Sequence, residues 1–200
     1  MNRLRTYAGI TRISIIYSFW HFINRLSCIG QKVSIGKNLK TIGRIRFRNR
    51  GKVIIGENVK INSSIMSDPL GGNTCSIFVT TNGAEIRIGK GSGLSNTVMF
   101  ARKKITIGEN VLIGAGVCIY DNDFHPLNLS ERLNHGQPTS REVNIENGAF
   151  IGAHSIILKG VTIGKGSVIG AGSVVTKNVP PMEIWAGNPA RFIRRNGEST

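Results

Sequence analysis

Aliphatic residues recur at every sixth position between residues 143 and 179. This stretch divides into the blocks VNIENG, AFIGAH, SIILKG, VTIGKG, SVIGAG and SVVTKN. The third position of every block is a β-branched aliphatic residue, and the fourth is glycine in three of them. A helix would space its apolar residues by three and four, and a single strand would alternate without a regular glycine. A period of six is typical of a parallel β-helix, in which each block supplies one short strand and one corner.

The same period starts earlier in the chain and is interrupted twice. It appears first in VSIGKN and returns after the polar segments 66–76 and 121–142, which have no six-residue phase. Insertions in repeat proteins form loops, often at the functional face, and a loop as long as 121–142 is more often functional than not. The pattern predicts an all-β fold in which residues 31–200 form one β-helix domain with a protruding loop at 121–142 and a short C-terminal tail.

Residues 1–30 have a different pattern and predict an amphipathic helix. Within residues 3–26, four apolar residues at helical spacing share one face, Ile13, Ile16, Trp20 and Ile23, and it is widened by Ile15, Phe19, Phe22 and Leu26. Only twelve uncharged residues separate Arg12 from Arg25, whereas a membrane span needs about 20. Three interpretations remain open: a cap on the core of the repeat, a helix lying in a membrane interface, or a secretory signal, although no A-x-A cleavage site follows.

The positive charge is concentrated in the first third of the chain. Residues 1–60 hold 13 Lys/Arg and one acidic residue, out of 26 Lys/Arg and 11 acidic residues in all. Within this region Arg44, Arg46, Arg48 and Arg50 alternate with other residues and therefore share one face of a strand. That face is either a solvated edge that discourages aggregation or a contact for phosphate or lipid head groups, so membrane-surface contact through residues 1–52 stays open. Nucleic acid is not expected, because the run offers a single aromatic side chain for stacking.

Three cysteines, Cys28, Cys75 and Cys118, show no CxxC spacing. They are interpreted as reduced core thiols of a cytoplasmic protein, with peripheral attachment to the inner membrane face as the alternative.

The repeats, the loop sequence DNDFHP and the tail VPP…AGNPAR together resemble the hexapeptide-repeat acyltransferases. The resemblance covers roughly residues 53–195 and is to the sugar O-acetyltransferase branch, which includes galactoside, maltose, and capsule or exopolysaccharide acetyltransferases. It implies a left-handed parallel β-helix, a homotrimer with active sites between subunits, acetyl-CoA as cosubstrate, a saccharide acceptor and no metal.

The resemblance also assigns roles to individual residues. His125 matches the catalytic histidine, which takes the proton of an acceptor hydroxyl as it attacks the thioester. Asp123, or Asp121 as the alternative, would orient the His125 ring, and Asn96 would bind the acceptor. The expected acetyl-CoA contacts are the backbone at Ala153 and Ala171 for pantetheine, Thr176 and Lys177 at the nucleotide end, and Arg191 and Arg194 for the phosphates.

The expected activity is therefore O-acetylation of a saccharide, a precursor of a surface polysaccharide or a lipid-linked glycan. Two other enzymatic interpretations, N-acetylation of an amino nucleotide sugar and acetylation of a xenobiotic, would use the same base and cofactor groove. A non-catalytic β-helix scaffold is the alternative outside enzymes. A γ-type carbonic anhydrase is disfavoured, because the chain has no HxxxxH spacing for a three-histidine zinc site.

Overall fold

The chain winds through successive coils of three short parallel strands. The structure, a computed structural model, describes residues 16, 18–65, 68–72 and 74–197. In chain order its strands are β1 (Ser34–Ile35), β2 (Lys40–Gly43), β3 (Arg46–Asn49), β4 (Lys52–Ile55), β5 (Lys60–Ser63), β6 (Ile77–Thr80), β7 (Glu85–Ile88), β8 (Gly93–Ser95), β9 (Val98–Ala101), β10 (Lys104–Ile107), β11 (Leu112–Ile113), β12 (Cys118–Tyr120), β13 (Val143–Ile145), β14 (Phe150–Ile151), β15 (Ile156–Ile157), β16 (Thr162–Ile163), β17 (Val168–Ile169), β18 (Val174–Val175), β19 (Glu183–Gly187) and β20 (Ala190–Arg195).

Every third strand joins the same sheet, which gives the domain three flat sides. Sheet A has the order β1-β4-β7-β10-β13-β16, sheet B starts β2-β5-β8-β11-β14-β17, and sheet C contains β3-β6-β9-β12-β15-β18. We name the corners A–B, B–C and C–A after the sheets that they join. The third-position residues Ile145, Ile151, Ile157, Ile163, Ile169 and Val175 are all 0% exposed and stack inside. The predicted left-handed parallel β-helix is confirmed.

The fourth position of each block is where the backbone turns against the next coil. A Cβ atom on Gly152 would lie 2.5 Å from the amide nitrogen of Ala171, and one on Gly114 would lie 2.7 Å from that of Ala153. At Gly152 and Gly114 only glycine permits this approach, which explains why glycine stands at the fourth position of these blocks.

The N-terminal helix, α1, is described at residue 16 and over 18–30 and packs on the first coil. Asn24 is 2% exposed; its side chain donates to Gly43 O at 2.8 Å and accepts from Ile45 N at 3.0 Å. The helix ends at residue 30, the predicted boundary, and Cys28 in its last turn is buried in the core. Residues 3–15 and 17 of the predicted helix lie outside the described residues.

Burial raises the pKa of the Cys28 thiol to about 11, against an opposing effect of Arg25. Cys75 and Cys118 are only half-buried, so the expectation of three core thiols holds for Cys28 alone. Cys118 lies on the outer face of sheet C, where alternate residues of β12 point away from the core.

The C-terminal end is closed by a hairpin. Strand β19 adds to sheet B beside β17, and β20 returns antiparallel to it. Trp185 packs against the core from this end, and its indole nitrogen donates to Glu183 at 2.7 Å. Among the described residues, no helix is both long enough and apolar enough to cross a bilayer.

Candidate functional site

The loop 121–142 leaves the coil at the C–A corner and is fastened at its base by Asp121. This carboxylate is 0% exposed and accepts hydrogen bonds from the backbone of Arg102 at 2.8 Å and of Lys103 at 2.7 Å. The Asp121 carbonyl also accepts from Arg141 N at 2.8 Å, which closes the loop where it returns to β13. Hydrogen bonds from several donors to a buried carboxylate are strong, so Asp121 anchors the base of the loop to the coil.

His125 lies in a turn in which the preceding residue, Phe124, packs on the outer face of sheet C. The ring of Phe124 packs edge-on against Phe100 and Tyr120, with centroid distances of 5.0 and 5.1 Å. Phe124 holds a left-handed φ of 61°, a conformation that costs a non-glycine residue free energy unless its surroundings impose it. The two aromatic contacts supply that constraint, and they leave the His125 side chain exposed beside sheet C.

Asp123 is engaged by a lysine of the following coil. Its carboxylate lies 2.5 Å from the Lys159 ammonium, and both side chains are largely buried. Within the described residues, neither Asp123 nor Asp121 hydrogen-bonds the His125 ring. Within one protomer, no contact therefore supports the prediction that Asp123 orients the imidazole. The Asp123 carboxylate instead forms an ion pair with the Lys159 ammonium. Sequence analysis did not identify Lys159 as a residue of the candidate site. The sequence signal for it is its fifth position in the block SIILKG, which places it at the same C–A corner as the loop.

A cavity of about 250 Å³ on the outside of sheet B is lined in part by Leu112, Gly114 and Phe150. Gly114 begins a column of glycines that Gly152 and Gly170 continue along the B–C corner, and we name the surface along this column the channel. Because these glycines carry no side chains, an extended ligand could lie directly on the backbone.

The amides of Ala153 and Ala171 border this channel. Neither nitrogen donates a hydrogen bond within the part of the chain that the structure describes. At the A–B corner, two amides at the equivalent position are bonded: Glu109 N to Asn147 Oδ1 and Lys165 N to Glu146 Oε2, both at 2.8 Å. The B–C corner thus presents two backbone donors that no side chain among the described residues satisfies, as binding of a carbonyl-rich pantetheine arm requires.

Asn96 begins the same corner but is covered. It is 1% exposed, its Nδ2 donates to Asp68 O at 3.2 Å, and the 3-10 turn Pro69–Gly71 packs onto it. His154 faces outward and bonds Leu70 O through Nε2 at 2.8 Å, so it contacts the same turn. Contact between Asn96 and an acceptor stays a prediction, and this turn would have to move for it.

The remaining predicted cofactor residues lie near the C-terminal end. Thr176 and Lys177 are exposed at the C–A corner that follows β18, on the same edge as the His125 loop. Arg191 and Arg194 lie on β20, where each guanidinium bonds a main-chain oxygen of that strand, at 3.0 and 3.1 Å.

The predicted site residues therefore divide between the two long edges of sheet C. His125, Thr176 and Lys177 lie on the C–A edge, whereas Ala153 and Ala171 lie on the B–C edge. One protomer therefore does not bring the predicted site residues together. No cluster of three or more potential metal ligands occurs among the described residues.

Comparison with known proteins identifies the repeat. The family model described as bacterial transferase hexapeptide (six repeats) matches residues 142–177, and hexapeptide repeat of succinyl-transferase matches 104–120. Galactoside O-acetyltransferase of Escherichia coli (strain K12) is 42% identical over 113 residues, 56% of this chain and 55% of that protein. Polysialic acid O-acetyltransferase of Escherichia coli O1:K1 / APEC is 37% identical over 124 residues, 60% of this chain and 39% of that protein. The alignments thus span about half or less of these curated relatives.

A solved structure matches a larger share. It is a hexapeptide-repeat-containing acetyltransferase from Vibrio cholerae O1 biovar eltor, complexed with acetyl coenzyme A. The two chains are 31% identical, with a TM-score of 0.54, and the match covers 71% of this chain and 73% of the other. Identity at this level over nearly three quarters of a solved relative, together with the shared coil, places this chain in the hexapeptide-repeat acetyltransferase family.

Proposed function

We propose that this protein transfers an acetyl group from acetyl-CoA to a hydroxyl group of a saccharide. The observation that carries the proposal is that one chain holds both an exposed imidazole on an anchored loop and a column of glycines beside two backbone amides, those of Ala153 and Ala171, which bond no described residue. The names of the relatives, which act on galactosides and polysialic acid, support a saccharide as acceptor. A precursor of a surface polysaccharide or a lipid-linked glycan is the form of acceptor that we propose.

In the proposed reaction, His125 accepts the proton of the acceptor hydroxyl as the oxygen attacks the thioester carbonyl. The tetrahedral intermediate collapses with cleavage of the carbon–sulfur bond, and the imidazolium returns the proton to the leaving thiolate. Backbone amides such as those of Ala153 and Ala171 hold the pantetheine arm, and Thr176, Lys177, Arg191 and Arg194 bind its nucleotide end. Acetyl-CoA supplies the acetyl group, and no step requires a metal.

A homotrimer would complete each site, because the two halves lie on opposite edges of sheet C. In a ring of three copies, the C–A edge of one protomer meets the B–C edge of the next, a head-to-tail contact that closes by rotation. Sheet C offers a suitable apolar outer face for this contact. Its half-buried side chains at paired positions are Val98, Phe100, Cys118, Tyr120, Ile156 and Val174.

The test is release of free CoA from acetyl-CoA in the presence of a panel of acceptors. The panel contains galactosides, sialic acid oligomers, lipid-linked glycans, amino nucleotide sugars and small amine or alcohol drugs. We expect saccharide hydroxyls to stimulate release, with an O-acetyl ester as product. Stimulation by amines alone, or by no acceptor at all, would contradict the proposal and favour N-acetylation or a scaffold.

Replacing Asp121 with asparagine should lower kcat by about tenfold or more, because the loop that carries His125 loses its anchor and small displacements of a catalytic group are costly. The amide leaves only one acceptor for two buried backbone donors. We expect KM for acetyl-CoA to stay within about twofold, since Asp121 bonds the backbone of Arg102 and Lys103 and none of the residues proposed to hold the cofactor. Glu142→Gln, at an exposed residue near the same loop end, is the control and should match the parent enzyme. Equal loss in both variants, or in neither, would remove the anchoring role.

A further inference from the structure

Helix α1 exposes a row of large apolar side chains on the face turned away from the coil. The opposite face holds the buried Asn24 and Cys28. Exposure of the row ranges from 49% to 74%, values far above those of the core. Its members are Ile16, Phe19, Phe22, Leu26 and Ile29.

Cations lie on both flanks of this apolar row. On one side, Arg25 and Lys40 line a cavity of about 410 Å³ together with Phe22. On the other side, α1 borders a cavity of about 600 Å³ lined by Arg44, Arg46 and Arg48.

Within the described residues, none of the flanking lysine and arginine side chains forms an ion pair with a carboxylate, whereas Lys52, Arg87 and Lys104 all lie within 4 Å of Glu85. The arginines of β3 are also exposed on the terminal strand of sheet C. An apolar ridge between two unneutralised basic flanks is the arrangement that suits an interface of hydrocarbon and anionic head groups.

We propose that this end of the protein docks on an anionic lipid bilayer, beyond the proposed acetyl transfer itself. Helix α1 lies in the plane of the interface with its apolar row among the acyl chains, and the flanking arginines contact lipid phosphates. A second copy of the chain fits this surface less well, because the contact would bring two strongly basic ends together. Nucleic acid would leave the apolar row without a partner.

The experiment is cosedimentation of the full chain with vesicles of phosphatidylcholine alone or with about one third phosphatidylglycerol, at physiological salt. We expect binding to the anionic vesicles and little binding to the neutral ones. The double variant Phe19→Ser/Phe22→Ser should bind at least about tenfold more weakly, because it removes two buried aromatic contacts with lipid. Leu129→Ser/Leu133→Ser, at exposed leucines of α2 (Leu129–Leu133), is the matched control and should bind normally.

A second pair of variants tests the charges. Arg44→Gln/Arg46→Gln/Arg48→Gln should weaken binding by about 100-fold, since each cation near the surface contributes about fivefold. Lys37→Gln/Lys90→Gln/Lys165→Gln removes the same charge at the A–B corner and should have a much smaller effect. Three results would overturn the proposal. The first two are equal binding to neutral and anionic vesicles, and an equal loss of binding in both triple variants. The third is a Phe19→Ser/Phe22→Ser variant whose oligomeric state changes while its vesicle binding does not.

Discussion

Replacing His125 with alanine should lower the rate of acetyl transfer by about 100-fold or more, the usual effect of losing a general base. A saccharide hydroxyl is a weak nucleophile, and water at the exposed loop would have to take its proton instead. We expect binding of acetyl-CoA to change little, because in the proposed reaction the imidazole acts on the acceptor hydroxyl, whereas other groups hold the pantetheine arm and the nucleotide. Initial rates of CoA release and the Kd of acetyl-CoA, measured on the same preparation, separate the two effects.

His135→Asn is the matched control for this variant. His135 is an exposed histidine of the same loop, and its φ of 56° is one that asparagine tolerates. Its substitution should leave the rate near that of the parent enzyme. If His125→Ala turned over like the parent, His125 would have no part in the mechanism, whatever the control showed.

Replacing Ala171 with phenylalanine should raise the Kd of acetyl-CoA by about 100-fold, because a bulky ring would overfill the channel beside the glycine column. The side chain of Ala171 is exposed, so the substitution leaves the core intact. Lys165→Phe adds the same ring at the equivalent position of the A–B corner and serves as the control. Equilibrium dialysis with labelled acetyl-CoA measures both, and unchanged affinity in Ala171→Phe would place the cofactor elsewhere.

The period of six predicts the coil and its interior because each inward position depends only on its own block. Ile145, Ile151 and Ile157 lie six residues apart, and each is fully buried for the same local reason. The outward position of His154 follows from the same phase. Family motifs supplied the candidate histidine and the residues of the channel, since these motifs are contiguous in sequence.

The contacts around the candidate site join residues of different coils, and no local pattern predicts them. The bond from His154 to Leu70 spans 84 residues and arises because an insertion between β5 and β6 folds over the B–C corner. The same insertion buries Asn96, which a sequence motif alone presents as an accessible side chain. Asp121 and Asp123 are two residues apart in one polar loop, yet one anchors it to the coil and the other pairs with Lys159. The role of each aspartate is set by the residues of other coils that lie next to it, and the sequence of the loop does not show which residues these are.

The division of the candidate site between two edges of sheet C can be tested directly by mixing two impaired variants and assaying them at an acetyl-CoA concentration near the Kd of the parent enzyme. His125→Ala and Ala171→Phe chains, unfolded and refolded together in equal amounts, should form mixed trimers in which some sites combine an intact His125 with an intact Ala171 from its neighbour. Random assembly predicts recovery of about one quarter of the parent activity. If each protomer carried a whole site, the mixture would stay as impaired as its two components, and that result would contradict the account.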